Sequence, residues 1–212
     1  MNLFRIRGIQ LAVHFSFFLL LAYAAFAGWE EAGLTGLGWN VVTLVAFFTC
    51  VVLHELGHSF VAMRYGIGVR RILLMPIGGM AEMDGIPRQP RREFLMTLAG
   101  PAVNFILAAV LWPIVQTLPM EVPLYSLAGL VFQLYIANIV MGVFNLVPVF
   151  PMDGGRIFRA LLATRLAYLR ATWWAAMVGK VLSLAGVLVM FFWLEHYLGA
   201  LLFLFIFMAG DA

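Results

Sequence analysis

Six long apolar runs, Ile9–Ala27, Trp39–Met63, Phe94–Leu118, Leu124–Val147, Trp173–Leu194 and Tyr197–Met208, occupy most of this chain. A helix needs about 20 apolar residues to cross a bilayer. The 212 residues therefore accommodate about six spans with short connections, and no second domain of any size. The expected fold is an all-α polytopic membrane protein, residues 1–212 forming one domain with six transmembrane helices. The sixth run is short and follows the fifth with only Glu195 and His196 between them. Composition agrees: 64% of residues are apolar and 11% charged, with a mean hydropathy of +1.01. Soluble domains run near 45–50% and 25%. A soluble globular protein and a disordered chain are both excluded, and a single cysteine excludes a disulfide scaffold. A net charge of +3 does not indicate nucleic acid as a partner, because topology accounts for the basic residues.

Arg5 and Arg7 precede the first run. Arg64, Arg70, Arg71, Arg88, Arg91 and Arg92 lie between the second and third, and Arg156, Arg159, Arg165 and Arg170 between the fourth and fifth. The opposite connections, which contain Glu30, Glu31, Glu121, Glu195 and His196, carry no Lys or Arg. Lys180, inside the fifth run, is the one cation that breaks the pattern. The positive-inside rule places both termini and both long loops in the cytoplasm. Arg5 and Arg7 before an apolar stretch ending Ala25-Phe26-Ala27 also fit a cleaved signal peptide. The length of that stretch, with His14 and Ser16 inside it, favours a retained span.

Between the second and third runs, Val69–Met75 and Met80–Met83 read as two short strands around Pro76 and Gly78-Gly79. Two readings stand: a membrane-associated β-hairpin covered by protein, or a plain surface loop. Residues 152–170 mix Arg with Ile, Phe and Leu and read as an interfacial helix.

The second run contains His54-Glu55-Leu56-Gly57-His58, an H-E-x-x-H motif. Helical residues four apart share a face, so both imidazoles can reach one Zn²⁺ at about 2.0–2.1 Å. Glu55 beside them is placed to take a proton from metal-bound water and deliver it to a leaving amine. Two His and a Glu inside a spanning segment are costly unless they serve a function. Cys50 lies on the same face, but roughly 9 Å along the axis from a metal held by both His, so packing accounts for it.

A catalytic zinc takes three protein ligands and leaves one position for water. Counting back from Arg64 at about 1.5 Å per residue, His54 and His58 lie roughly 9–15 Å inside the cytoplasmic end of their helix. The fourth run ends on that side in Asn145-Leu-Val-Pro148-Val-Phe-Pro151-Met-Asp153-Gly154-Gly155. Pro148 and Pro151 break the helix, so the segment should line a polar cavity. Asp153 can then fold back as third ligand. Glu82 is its rival if the 64–93 loop re-enters, and Asp153 can also be read as a turn-former before Gly-Gly. Asn145 is a candidate to hold substrate or an oxyanion, or a helix-ending Asn that caps its own backbone. Asn104, one turn after Gly100-Pro101, is a candidate supporting residue. Arg156 reads as a topology anchor.

With HELGH in the second run and NLVPVFPMDGG closing the fourth, the chain resembles the site-2 proteases, intramembrane zinc metalloproteases, in their compact archaeal and bacterial form. The likeness includes the Arg7-Gly8-Ile9…His14-Phe-Ser opening, Pro76-Ile-Gly-Gly, Ala99-Gly-Pro…Asn104 and Asp153-Gly-Gly-Arg156. It implies His54, His58 and Asp153 as ligands of one zinc per chain, Glu55 as general base and Asn145 at the substrate. It implies that the 67–85 hairpin pairs with an unwound substrate strand. It also implies a prokaryotic cell membrane, with transmembrane substrates such as tethered transcription regulators or anti-sigma factors. Relatives with CBS or PDZ domains differ from this sequence, which has neither.

The expected activity is endoproteolysis within a substrate's membrane helix near the cytoplasmic side, with the fifth and sixth spans as a candidate substrate gate. A metal transporter using the same His and Asp is the alternative. It calls for matching polar groups on the outer half of the membrane, where these runs are almost wholly apolar.

Overall fold

The computed structural model describes residues 1–193 and 195–210. It divides into two compact units, Met1–Gly85 with Ala102–Gly142, and Ile86–Pro101 with the chain from Val143 onward.

The first unit opens with two strands, β1 (Asn2–Ile6) and β2 (Ile9–Val13), joined at Arg7 and Gly8, whose φ angles are 48° and 91°. Positive φ at both central residues is what a tight two-residue hairpin turn demands. The first run thus begins as a strand, not as a span from Ile9. Ile9, Leu11 and Val13 alternate with the half-exposed Gln10, and the three apolar side chains are buried. The expected hairpin is present as β3 (Val69–Met75) and β4 (Gly78–Met83), but it belongs to a four-stranded sheet ordered β1-β2-β3-β4. β2 pairs with β3 in parallel, Leu11 opposite Ile72, and β3 with β4 antiparallel, Ile72 opposite Ala81. Parallel neighbours need a long crossover, and here it is α1.

Helix α1 (Phe15–Arg64) has 50 residues, capped at its start by His14, whose ring accepts from the Ser16 amide. Ala32 and Gly33 leave helical geometry, with φ/ψ of −145°/25° and 59°/−140°. Asn40 Nδ2 donates to the Ala24 carbonyl at 3.2 Å. Residues 16 apart in a straight helix would lie about 24 Å apart, so the chain reverses at the break and the two arms lie against each other. Gly28 and Gly36 make that approach possible, since a Cβ on either would collide with the other's carbonyl. The first two predicted spans are these arms. Phe17 from the first arm and Phe48, Val51, Val52 and Leu56 from the second pack on Ile9, Leu11, Val13, Ile72 and Leu74. Leu19, Phe26, Val45 and Leu53 stay exposed, as suits a helix surrounded by hydrocarbon.

The remaining helices are α2 (Pro90–Val115), α3 (Leu127–Leu146), α4 (Asp153–Leu162), α5 (Tyr168–Leu188) and α6 (Tyr197–Ala209). α5 runs on into a π-helical turn, Val189–Trp193, and Leu194, the last residue of the fifth predicted run, lies outside the described residues. Among the described residues, four helices are long and apolar enough to cross a membrane: α1, α2, α3 and α5 with its π turn. The 13 residues of α6 extend about 20 Å, short of a hydrocarbon core near 30 Å. The six predicted runs thus correspond to four crossing-length helices, one folded on itself, and a short sixth.

In the second unit α4 takes up the first half of the stretch read as an interfacial helix. The buried face of α5 is Ala171, Ala175, Gly179 and Ser183, one residue per turn. These small side chains let backbone approach closely: a Cβ on Gly179 would lie 3.3 Å from the Val149 Cα.

Candidate metal centre

The second arm of α1 carries His54, Glu55 and His58. The two imidazoles are buried, 5% and 8% exposed, and meet edge to face with centroids 4.7 Å apart. Their Nε2 atoms lie 3.1 Å from each other. Two nitrogens bound to one tetrahedral zinc at 2.0–2.1 Å would be about 3.3 Å apart, so the pair is spaced for a shared ion.

The far side of His54 is also engaged. Its Nδ1 lies 2.6 Å from Asn104 Oδ1, an acceptor, so the ring donates from Nδ1 and leaves the Nε2 lone pair for a metal. Asn104 thus lies behind a candidate ligand. Asn104 in turn donates through Nδ2 to Asn138 Oδ1 at 2.9 Å. Asn138 donates to the Leu134 carbonyl at 2.8 Å and to Cys50 Sγ at 3.3 Å. Asn104 and Asn138 are both fully buried. Cys50 is a buried free thiol that packs and accepts. Asn138 went unnoticed in the sequence. Its one signal is an amide inside an apolar run, seven residues before Asn145 on nearly the same helical face.

Glu55 is half-buried and its Cγ rests against Gly79 of β4, where a Cβ would come within 2.7 Å. The second glycine of Pro76-Ile-Gly-Gly therefore makes room for the candidate base. Ser59 Oγ returns to the Glu55 carbonyl at 2.7 Å, tying down that turn of the helix.

Glu82, the rival third ligand, is otherwise engaged. Arg71 Nη2 donates to its Oε1 at 2.6 Å across β3 and β4. That hydrogen bond is the main cause of a Glu82 pKa below the usual carboxylate range and of a raised one at Arg71.

Asp153 and Asn145 belong to the second unit. Asp153 is buried and is the first residue of α4. Gly154 and Gly155 follow because there is no space for side chains. A Cβ on the first would collide with the Leu146 and Val147 carbonyls, and one on the second would lie 2.8 Å from Phe150 N. Asn145 sits half-buried in the last turn of α3. Arg159, read from sequence only as a cytoplasmic cation, is held from three sides. Its Nε donates to Glu93 Oε1 at 2.9 Å, and its guanidinium lies 5.3 Å from the Phe150 ring centroid and 5.1 Å from that of Tyr168.

The sequence model of peptidase family M50 matches residues 42–127 and 114–186. A zinc metalloprotease of Methanocaldococcus jannaschii is 42% identical over 190 residues, which cover 88% of this chain and 52% of that protein. Stage IV sporulation protein FB of Bacillus subtilis is 28% identical over 144 residues, 68% of this chain and 48% of the relative. The chain thus spans about half the length of the relatives it matches. A solved structure, the site-2 protease from Methanocaldococcus jannaschii, matches with a TM-score of 0.69 and 37% identity, covering 100% of this chain and 93% of the other.

Proposed function

The chain belongs to peptidase family M50, and from that premise we propose that it is an intramembrane zinc metalloendopeptidase of the site-2 type. It cleaves a peptide bond within a membrane helix of a protein substrate, near the cytoplasmic face. The observation that carries this reading is the His54–His58 pair, with Nε2 atoms 3.1 Å apart on a helix of crossing length. An Asn104 acceptor at Nδ1 of one ring favours the tautomer whose Nε2 carries the lone pair, the form a metal ligand needs. Imidazole and carboxylate donors suit zinc.

In this reading His54, His58 and Asp153 hold one zinc per chain. When bound, the ion would polarise the scissile carbonyl and lower the pKa of water towards 7. Glu55, braced by Gly79, takes the proton of the attacking water and returns it to the leaving amine. Asn145 orients the substrate through its amide. The protein sits in the bilayer with both termini cytoplasmic, and the substrate is a transmembrane protein of the tethered-regulator class.

The test is zinc content and cleavage of a membrane-helix substrate by purified wild type and Glu55→Gln. About one zinc in each, with cleavage by wild type alone, is the expected result. Cleavage by neither protein, together with metal flux into vesicles, would replace the protease by a transporter.

A further inference from the structure

We infer that Asn138 is a positioning residue for zinc binding: by fixing which way the Asn104 amide faces, it sets the tautomer of His54. The inference rests on the reading of His54 as a metal ligand.

An asparagine amide can turn over, exchanging its oxygen for its NH₂ with little change of shape. If Asn104 presented NH₂ to His54, Nδ1 would have to accept. The ring proton would then move to Nε2, the atom that faces His58, and His54 could not ligate. Neither residue settles this alone, because an imidazole and an amide can each supply a donor or an acceptor.

The polarity is settled at the other end of the chain of bonds. A backbone carbonyl can only accept. The Leu134 carbonyl, 2.8 Å from Asn138, therefore requires the NH₂ of Asn138, and its Oδ1 must face Asn104. Asn104 Nδ2 must then donate to that oxygen, 2.9 Å away, and Asn104 Oδ1 must face His54 Nδ1 at 2.6 Å. Cys50 Sγ, a weak acceptor 3.3 Å from Asn138 Nδ2, receives from the same NH₂ and adds to the same orientation. Each step is a one-way instruction from main chain to metal site. Asn104 and Asn138 are both fully buried, so bulk solvent does not substitute for a lost bond.

The tautomer is read first, from ¹⁵N imidazole shifts of the metal-free wild type. A His54 proton on Nδ1 is expected, and one on Nε2 would overturn the inference. Zinc affinity is then measured by chelator competition. Asn138→Leu removes the instruction and should weaken zinc about 10- to 100-fold. Asn138→Ala gives the same comparison should the leucine variant not fold. Unchanged affinity in a folded variant overturns the inference.

In an Asn104→Asp background the discriminating result appears. A carboxylate has no donor to turn towards His54, and its other oxygen would meet Asn138 Oδ1 with no hydrogen between them, so Asn138→Leu should not weaken zinc there. An equal loss in both backgrounds would mean that Asn138 only supports packing, and would also overturn it. The protease reading fails separately, by absence of zinc or of cleavage in wild type. The tautomer measurement needs neither.

Discussion

The Cγ of Glu55 rests on Gly79, with a gap that a methyl group would reduce to 2.7 Å. The candidate base on a membrane helix is thus braced by the backbone of a strand. Gly79→Ala should displace Glu55, whose Cγ and Cδ would lie 2.7 and 3.4 Å from the new methyl group, and also crowd Val51, whose Cγ1 would lie 3.1 Å from it. We expect cleavage to fall about 10- to 100-fold, the scale of a 1 Å misplacement, with zinc content unchanged. Full cleavage by Gly79→Ala would show that the base does not depend on this contact.

Asp153→Ala should lose most of the bound zinc, whereas Glu82→Ala should keep it. Glu82 is already paired with Arg71 at 2.6 Å on the exposed part of the hairpin. Metal analysis of the two purified variants decides between the acids, and loss from Glu82→Ala alone would reverse the assignment.

The Arg71–Glu82 pair gives the hairpin an acid limb. Glu82 titrates below the usual carboxylate range because Arg71 donates to it. A carboxyl with a depressed pKa contributes stability at pH values above its ordinary range and loses it as pH falls through the depressed value. Protection of the β3 and β4 amides, corrected for intrinsic exchange, should therefore decline only on strong acidification. Glu82→Gln should remove that decline. Arg71 is exposed and Glu82 partly so, and the effect should therefore be small and vanish in high salt. A decline that survives the substitution would assign it to another group.

Arg159→Met should be among the most damaging single changes in the second unit. It leaves Glu93, whose side chain is 0% exposed, as an uncompensated buried carboxylate. Breaking such a pair costs about 3–5 kcal/mol. The double variant Glu93→Leu with Arg159→Met should recover most of that in thermal unfolding, since two apolar groups need no partner. A double variant as unstable as the single would place the cost in the lost ring contacts of Arg159.

Much of this was legible in the sequence because it is local. His54 and His58 lie one helical turn apart, and β3 and β4 are separated by a two-residue turn, so spacing alone announces them. β2 was hidden because Ile9–Val13 runs into an apolar helix with only His14 between them, and its partner Ile72 lies beyond all of α1. Asn138 and Glu93 were illegible for the same reason. Asn138, a lone amide in an apolar run, and Glu93, an acid beside Arg91 and Arg92, acquire meaning from their partners, and those partners, Asn104 and Arg159, are distant in sequence.

β2 leads directly into α1, and β3 follows four residues after its end. Because those strands lie side by side in parallel, α1 must leave and return to the same side of any bilayer it enters. The sheet therefore enforces parity: this helix makes an even number of crossings. β2 also emerges from synthesis a whole helical hairpin ahead of its partner, so the strands can join only after both arms of α1 have been made. Their pairing closes the loop that the two arms of α1 form.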